Sequence, residues 1–216
     1  MVISAGTDGE KRAAAEAAAG LVEAGMTVGL GTGTTVAFLL PALAARRLYV
    51  RCVATSPATE AEARRLGLVV EPFEGIGRLD LAIDGADQVA PDNWLIKGGG
   101  GAHTREKVVA AAADRFAVIV SSNKLVERLA PPVPVEILAF GAQATLRALG
   151  FARLRPGAPP SPDGGLIADW YGNLDDPAAL TDHLAGVAGV VGHGLFPPDM
   201  VSDVIVGRGS RAERRP

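Results

Sequence analysis

A chain of 216 residues, 48% of them hydrophobic, can bury the core of one α/β domain with a small second one, yet no apolar run approaches the roughly 20 residues of a membrane-spanning helix. Its formal charge of −3 offers nucleic acid no electrostatic attraction, and its single cysteine, Cys52, excludes an intramolecular disulfide and fits a reducing compartment. Met1 to Asp8 show neither the basic start nor the apolar stretch of a signal peptide, so a cytoplasmic protein is expected.

In chain order, the alanine-rich residues 11–24 predict a helix ended by Gly25. Residues 27–30 read as a strand, followed by the turn Gly31-Thr32-Gly33-Thr34 and a helix over 35–47. Residues 50–54 form the next strand, and its apolar surroundings make Cys52 a buried thiol rather than a nucleophile. Thr55-Ser56-Pro57 predicts a turn before a helix over 59–66, closed by Gly67. Strands follow at 68–70 and 79–83, then a loop, a helix over 104–113 and a strand over 116–120. Strands without polar alternation, separated by helices, point to an α/β fold: an open, mostly parallel sheet with helices on both faces.

The register changes at Ala130-Pro131-Pro132-Val133-Pro134. Beyond it come a strand (135–138), a helix (141–149), a strand (151–154), a Pro/Gly-rich turn (156–165), a strand (166–170), a helix (177–184) and a strand (187–191). That β-α-β-β-α-β order is ferredoxin-like and predicts a small α+β lid domain inserted near the C-terminus. The strand at 203–207 then rejoins the main sheet. The expected division is 1–130 for the catalytic domain, 131–200 for the lid and 201–216 for the return. Arg208, Arg211, Arg214 and Arg215 read as a solvated tail.

Four loops carry chemistry. Gly29-Leu30-Gly31-Thr32-Gly33-Thr34-Thr35 follows a strand and opens a helix, a geometry whose amides and hydroxyls cradle anions. It is not a dinucleotide fingerprint, because Thr34 stands where the third glycine belongs and Tyr49, Val50 and Val53 occupy the region of the expected acid. Nor is it a P-loop, which needs a lysine. Asp84 and Asp87 fall at the carboxyl edge of the sheet, where open α/β folds bind ligands, while Asp80 falls at the opposite end and reads as surface. Lys97 precedes four glycines, Gly98 to Gly101, whose ordering costs roughly 1 kcal/mol each relative to alanine in regular structure. That cost makes sense where backbone must approach a ligand closely.

Glu106 lies in the first turn of its helix, a position the helix dipole favours by roughly 0.3–1 kcal/mol, so spacing alone does not make it a base. Ser121-Ser122-Asn123-Lys124 ends another strand at the carboxyl edge. Lysine is scarce, standing only at 11, 97, 107 and 124, and three of these flank candidate loops. His103, His183 and His193 lack ligand spacing, with His103 read as a loop or capping residue. No metal site is expected.

Taken together these loops resemble the type A ribose-5-phosphate isomerases. The resemblance runs over Val28-Gly29-Leu30-Gly31-Thr32-Gly33-Thr34-Thr35, Thr55-Ser56 with Thr59 and Gly67, and Ile83-Asp84-Gly85-Ala86-Asp87. It continues over Ile96-Lys97-Gly98-Gly99-Gly100-Gly101-Ala102, Thr104-Arg105-Glu106-Lys107, Ser122-Asn123-Lys124, Pro134-Val135-Glu136-Ile137, Gly194-Leu195-Phe196 and Val204-Ile205-Val206-Gly207. It implies interconversion of ribose 5-phosphate and ribulose 5-phosphate in the non-oxidative pentose phosphate pathway, with neither metal nor organic cofactor.

By the same resemblance, Glu106 carries a proton between C1 and C2. Asp84 and Asp87, with Gly85 and Ala86 between them, hold sugar hydroxyls, assist ring opening and shuttle hydroxyl protons. Lys97 and the amides of Gly98, Gly99 and Gly100 stabilise the enediolate oxygen. Thr32, Gly33, Thr34, Thr35, Lys11 and Lys124 match substrate- and phosphate-binding positions. A homodimer or homotetramer is implied, with no nucleic-acid or membrane partner. Gln88 departs from the family's usual acid, which predicts loss of a local salt bridge, and 156–165 carries little resemblance.

Three other readings compete. A sugar-phosphate-sensing regulator domain would need a helix-turn-helix, and none stands ahead of Lys11 in this sequence. A dehydrogenase lacks its fingerprint. A sugar-phosphate deaminase or lactonase shares the architecture but not the Lys-Gly-Gly-Gly and Arg-Glu-Lys arrangement.

Overall fold

A computed structural model of the chain describes residues 5–215, and of residues 5 and 6 the backbone alone. Residues 1–4, part of the stretch expected not to be a signal peptide, lie outside that range. Two compact units emerge: Met1–Ala86, Glu106–Leu125 and Asp199–Pro216 make the first, Asp87–Arg105 and Val126–Pro198 the second.

The first unit is built on a seven-stranded sheet. Its strands are β1 (Thr27–Leu30), β2 (Arg51–Ala54), β3 (Val69–Val70), β4 (Leu81–Asp84), β7 (Phe116–Ser121), β13 (Asp203–Arg208) and β14 (Arg211–Arg215). They lie in the order β14-β13-β7-β4-β1-β2-β3, all parallel except β14. Alternation within the strands sorts residues to two faces. Val28, Leu30, Cys52, Leu81, Ile83, Ala117, Ile119 and Ile205 pack with α1 (Ala5–Ala19) and α2 (Val36–Ala45) through Ala14, Ala18, Leu39 and Leu43. On the other face Gly29 meets Val109 of α4 (His103–Ala111), and a Cβ at position 29 would overlap the valine's Cγ1. Helices on both faces of a mostly parallel sheet are therefore present, as the sequence pattern predicts.

Cys52 is fully buried, and burial alone pushes its thiol up to about 12. The native protein should accordingly leave a thiol reagent such as DTNB unreacted at pH 8 and release one equivalent once denatured. A full equivalent from native protein would contradict this packing.

Several boundaries move for local reasons. The first helix stops at Ala19 rather than 24, where Gly20 follows and Arg46 Nη1 donates to the carbonyls of Ala19 and Val22. The third helix, α3 (Pro57–Arg65), starts two residues early because Pro57 suits the first helical position and the Ser56 hydroxyl accepts from Thr59 N at 3.2 Å. The arginine-rich tail is no loose end. It forms β14 at the sheet edge, where Arg214 and Arg115 both reach the buried Asp203. A charged edge strand discourages pairing with other chains.

The second unit contains a four-stranded antiparallel sheet in the order β11-β8-β10-β9, made of β8 (Val133–Ile137), β9 (Ala152–Leu154), β10 (Leu166–Trp170) and β11 (Val190–His193). With α5 (Ala142–Leu149) and α6 (Pro177–Gly186) this is the ferredoxin-like order the sequence predicts. Val133, Val135, Ile137, Leu149, Leu180 and Leu184 fill its core.

The stretch predicted as a loop after β4 also contains β5 (Gln88–Val89) and β6 (Leu95–Ile96). These pair with β12 (Leu195–Phe196) in a three-stranded sheet. That pairing places residues 87–105 in the second unit, whereas the division at 130 kept them with the first. Among the described residues no helix is long and apolar enough to cross a membrane.

Candidate active site

In the first unit the sheet reverses its winding between β1 and β4: β2 and β3 follow on one side, β7 and β13 on the other. Ligands of open α/β folds bind at such a switch point, beyond the carboxyl ends of the strands. The turn after β1 and the acid ending β4 meet there. Asp84 Oδ1 accepts from Thr32 N at 3.0 Å and from Gly85 N at 2.7 Å, and the residue is 3% exposed. Gly31 makes this possible, since a Cβ there would overlap the Asp84 carboxyl group. The glycine of this turn thus serves the close approach of an acid.

Thr32 Oγ1 lies 2.8 Å from both Thr55 Oγ1 and Ser56 Oγ and 3.2 Å from Thr59 Oγ1, and Thr59 Oγ1 donates to Gly31 O at 2.9 Å. This hydroxyl cluster fixes the turn from beneath, which explains why Thr55, Ser56 and Thr59 accompany the glycines in the sequence. Gly33 and Thr34 are exposed on the turn, and Thr35 precedes α2.

Lys11 on α1 pairs with Asp8 at 3.2 Å. Lys124 closes a single 3-10 turn, Ser122–Lys124, after β7. Helix and turn are tied by Glu10, whose carboxylate accepts from Ser122 N at 2.9 Å, Ser122 Oγ at 2.8 Å and Gly209 N at 3.3 Å. These bonds outweigh the opposing effect of desolvation and lower the Glu10 pKa. Glu10 was not singled out from sequence, because an acid on a first helix reads as solvated. Glu106, 5% exposed, lies in the first turn of α4, and desolvation brings its neighbour Lys107 down to about 8.

In the second unit, Asp87 and the glycine run come together: Gly99 N donates to Asp87 Oδ2 at 2.8 Å. Gly98 has φ +108°, and a Cβ there would sit 2.7 Å from His103 Nδ1 and 2.8 Å from Pro134 Cβ. His103 is therefore a fully buried support beneath the loop, not a loop residue. Lys97 is 2% exposed, with Nζ 5.4 Å from the centroid of the Phe196 ring, and its N–H donates to Gly194 O at 2.8 Å. Gly194-Leu195-Phe196 thus belongs to the lysine's setting. Gly99 and Gly100 face solvent.

Gln88 explains its own departure. Its Nε2 donates to Ala130 O at 2.7 Å and its Oε1 accepts from Ala130 N at 2.8 Å, a two-way bond that an ionised acid could not complete. The Pro/Gly-rich stretch is fastened as well: Ser161 Oγ donates to Glu136, and Arg105 grips Asp163 through Nε at 2.8 Å and Nη2 at 2.7 Å. Among the described residues, no three His, Cys, Asp or Glu side chains gather as ligands for a metal ion.

The first unit is thus an open α/β sheet with an acid and a hydroxyl-lined turn at its carboxyl edge, and the second carries a glycine loop beside Asp87 and Lys97. The family model of ribose 5-phosphate isomerase A (phosphoriboisomerase A) matches residues 51–211. Ribose-5-phosphate isomerase A of Roseiflexus sp. (strain RS-1) is 48% identical over 202 residues, covering 86% of this chain and 87% of its own. The crystal structure of ribose 5 phosphate isomerase A from Neisseria gonorrhoeae superposes with a TM-score of 0.91 at 33% identity, over 96% of each chain. A D-ribose-5-phosphate isomerase in complex with phospho-erythronic acid superposes equally well, at 31% identity over 97% of this chain and 98% of that one. The chain belongs to the ribose 5-phosphate isomerase A family and is an isomerase.

Proposed function

We propose that this protein interconverts D-ribose 5-phosphate and D-ribulose 5-phosphate in the non-oxidative pentose phosphate pathway, by proton transfer through a cis-enediolate and without a metal. The observation that carries the reading is the family match, 48% identity to a ribose-5-phosphate isomerase A over 86% of this chain. In the open-chain aldose, Glu106 takes the proton from C2. The C–H electrons form the C1–C2 double bond and the carbonyl electrons move to O1, where Lys97 and the glycine amides stabilise the charge. A hydroxyl proton passes from O2 to O1 through Asp84 or Asp87. Glu106 then returns its proton to C1, leaving the ketone at C2. The same aspartates assist opening of the furanose ring.

Lys11, Lys124 and the Thr32 to Thr35 turn hold the phosphate. Lys124→Ala should raise KM for ribose 5-phosphate about tenfold or more while kcat changes little, because a remote charge binds ground and transition state alike. A fall in kcat at constant KM would place Lys124 elsewhere in the reaction. The enzyme works in the cytoplasm as a homodimer or homotetramer. The deciding experiment is an isomerase assay with EDTA present, comparing ribose 5-phosphate with ribose. Turnover of the phosphate alone supports the proposal, and no turnover of either overturns it.

A further inference from the structure

We infer that Arg155 is a positioning residue for the reaction: anchored on Asp169, it holds two successive glycine carbonyls so that the amides behind them face the substrate. Arg155 follows β9 and lies outside every motif that carries the family resemblance. Its Nε and Nη2 grip the Asp169 carboxylate at 2.9 and 2.6 Å, a bidentate pair seated on the central strand β10 opposite Pro134 and Arg153. The remaining terminal nitrogen, Nη1, donates to Gly98 O and to Gly99 O, each at 3.0 Å.

The consequence follows from the peptide unit. Both peptides, Gly98–Gly99 and Gly99–Gly100, are trans, so each N–H points opposite to the carbonyl of its own plane. Drawing two consecutive carbonyls onto one guanidinium nitrogen therefore turns two consecutive amides, those of Gly99 and Gly100, to the other side. Such paired amides form a concavity suited to an anionic oxygen. Gly98, with φ +108°, allows the chain to bend this way.

The two amides have different tasks. That of Gly99 donates to Asp87 Oδ2 and so orients the carboxylate proposed to handle hydroxyl protons. That of Gly100 sits on an exposed residue, and we assign it to the developing oxyanion. A charged donor on the rear carbonyls also polarises both peptides and strengthens the bonds their N–H groups make. One side chain thus sets both an acid and an oxyanion donor without touching substrate.

The inference rests on the isomerase reading above, and the test separates the two. Arg155→Met, and Arg155→Met with Asp169→Leu to avoid stranding a buried carboxylate, are compared with wild type. Each is assayed for kcat and KM on ribose 5-phosphate and for Ki of phospho-erythronic acid. The carboxylate of that acid stands in for the planar oxygen-bearing end of the enediolate. Misplacing the amides should lower kcat by up to about 100-fold and raise Ki by a comparable factor, with KM changed less than about threefold. Arg155→Lys, whose ammonium cannot grip Asp169 and both carbonyls together, should fall between.

A purely structural role would reduce the amount of active enzyme, lowering apparent kcat while Ki stays at the wild-type value. That result overturns the inference, as do unchanged kcat and Ki. If wild type itself fails to isomerise ribose 5-phosphate, the functional reading falls instead.

Discussion

Glu106→Gln should lower kcat by about 10³-fold while KM for ribose 5-phosphate stays close to wild type. Proton transfer by a placed side chain typically contributes about 10²–10⁴ in rate, and glutamine keeps the volume and shape of glutamate while losing the ability to accept a proton. The near-isosteric change matters because the side chain is only 5% exposed in the first turn of α4, where a smaller residue would leave a cavity. Removing a base acts on the transition state, so affinity for the ground state is spared. Exchange of the C2 hydrogen with deuterated water should fall in parallel with turnover. Near wild-type turnover would assign the base to another acid, and Asp84 or Asp87 would then be the residues to vary.

Much of this architecture is legible in the chain because local rules and global fold agree. Continuous apolar strands such as Phe116–Ser121 announce a sheet covered on both faces, and the second unit's helix and strand order announces its topology. What escapes notice is short or depends on distant partners. Gln88–Val89 and Leu95–Ile96 are two residues each, below any periodicity, and become strands only because Leu195–Phe196 returns a hundred residues later to pair with one of them. Arg211–Arg215 reads as a solvated tail since its charges hide a strand that β13 templates.

The site shows the same division. Asp84, Asp87, Lys97 and the glycines stand out because their residue types are costly without a ligand or a close approach. Arg155, Asp169 and Glu10 do not, because each looks like an ordinary surface charge until its partners are known. His103 misleads in the opposite direction: next to a glycine run it suggests a loop, yet it is buried as the support of Gly98.

Gly31→Ala should cost activity through a carboxylate two strands' worth of sequence away. The added methyl would overlap the Cγ and Oδ1 of Asp84, and that side chain has nowhere cheap to go. It is short, it ends the buried strand β4, and the amides of Thr32 and Gly85 fix one of its oxygens. Either the carboxylate leaves those amides or the turn after β1 moves, and both disturb the same place. A fall in kcat/KM of about 100-fold or more is expected, with overpacking costing about 1–3 kcal/mol of stability.

Gly77→Ala provides the comparison, since no atom lies within 4 Å of the Cβ it would add. It should leave activity unchanged and stability within about 0.5 kcal/mol. The route of the loss can be isolated with Asp84→Asn. If Gly31 matters because it makes room for the carboxylate, Gly31→Ala should cost much less activity in the Asp84→Asn background than in wild type, a non-additivity expected of residues in contact. Full additivity, or wild-type activity and melting temperature for Gly31→Ala alone, would show that the turn yields freely and that the acid's position does not depend on it.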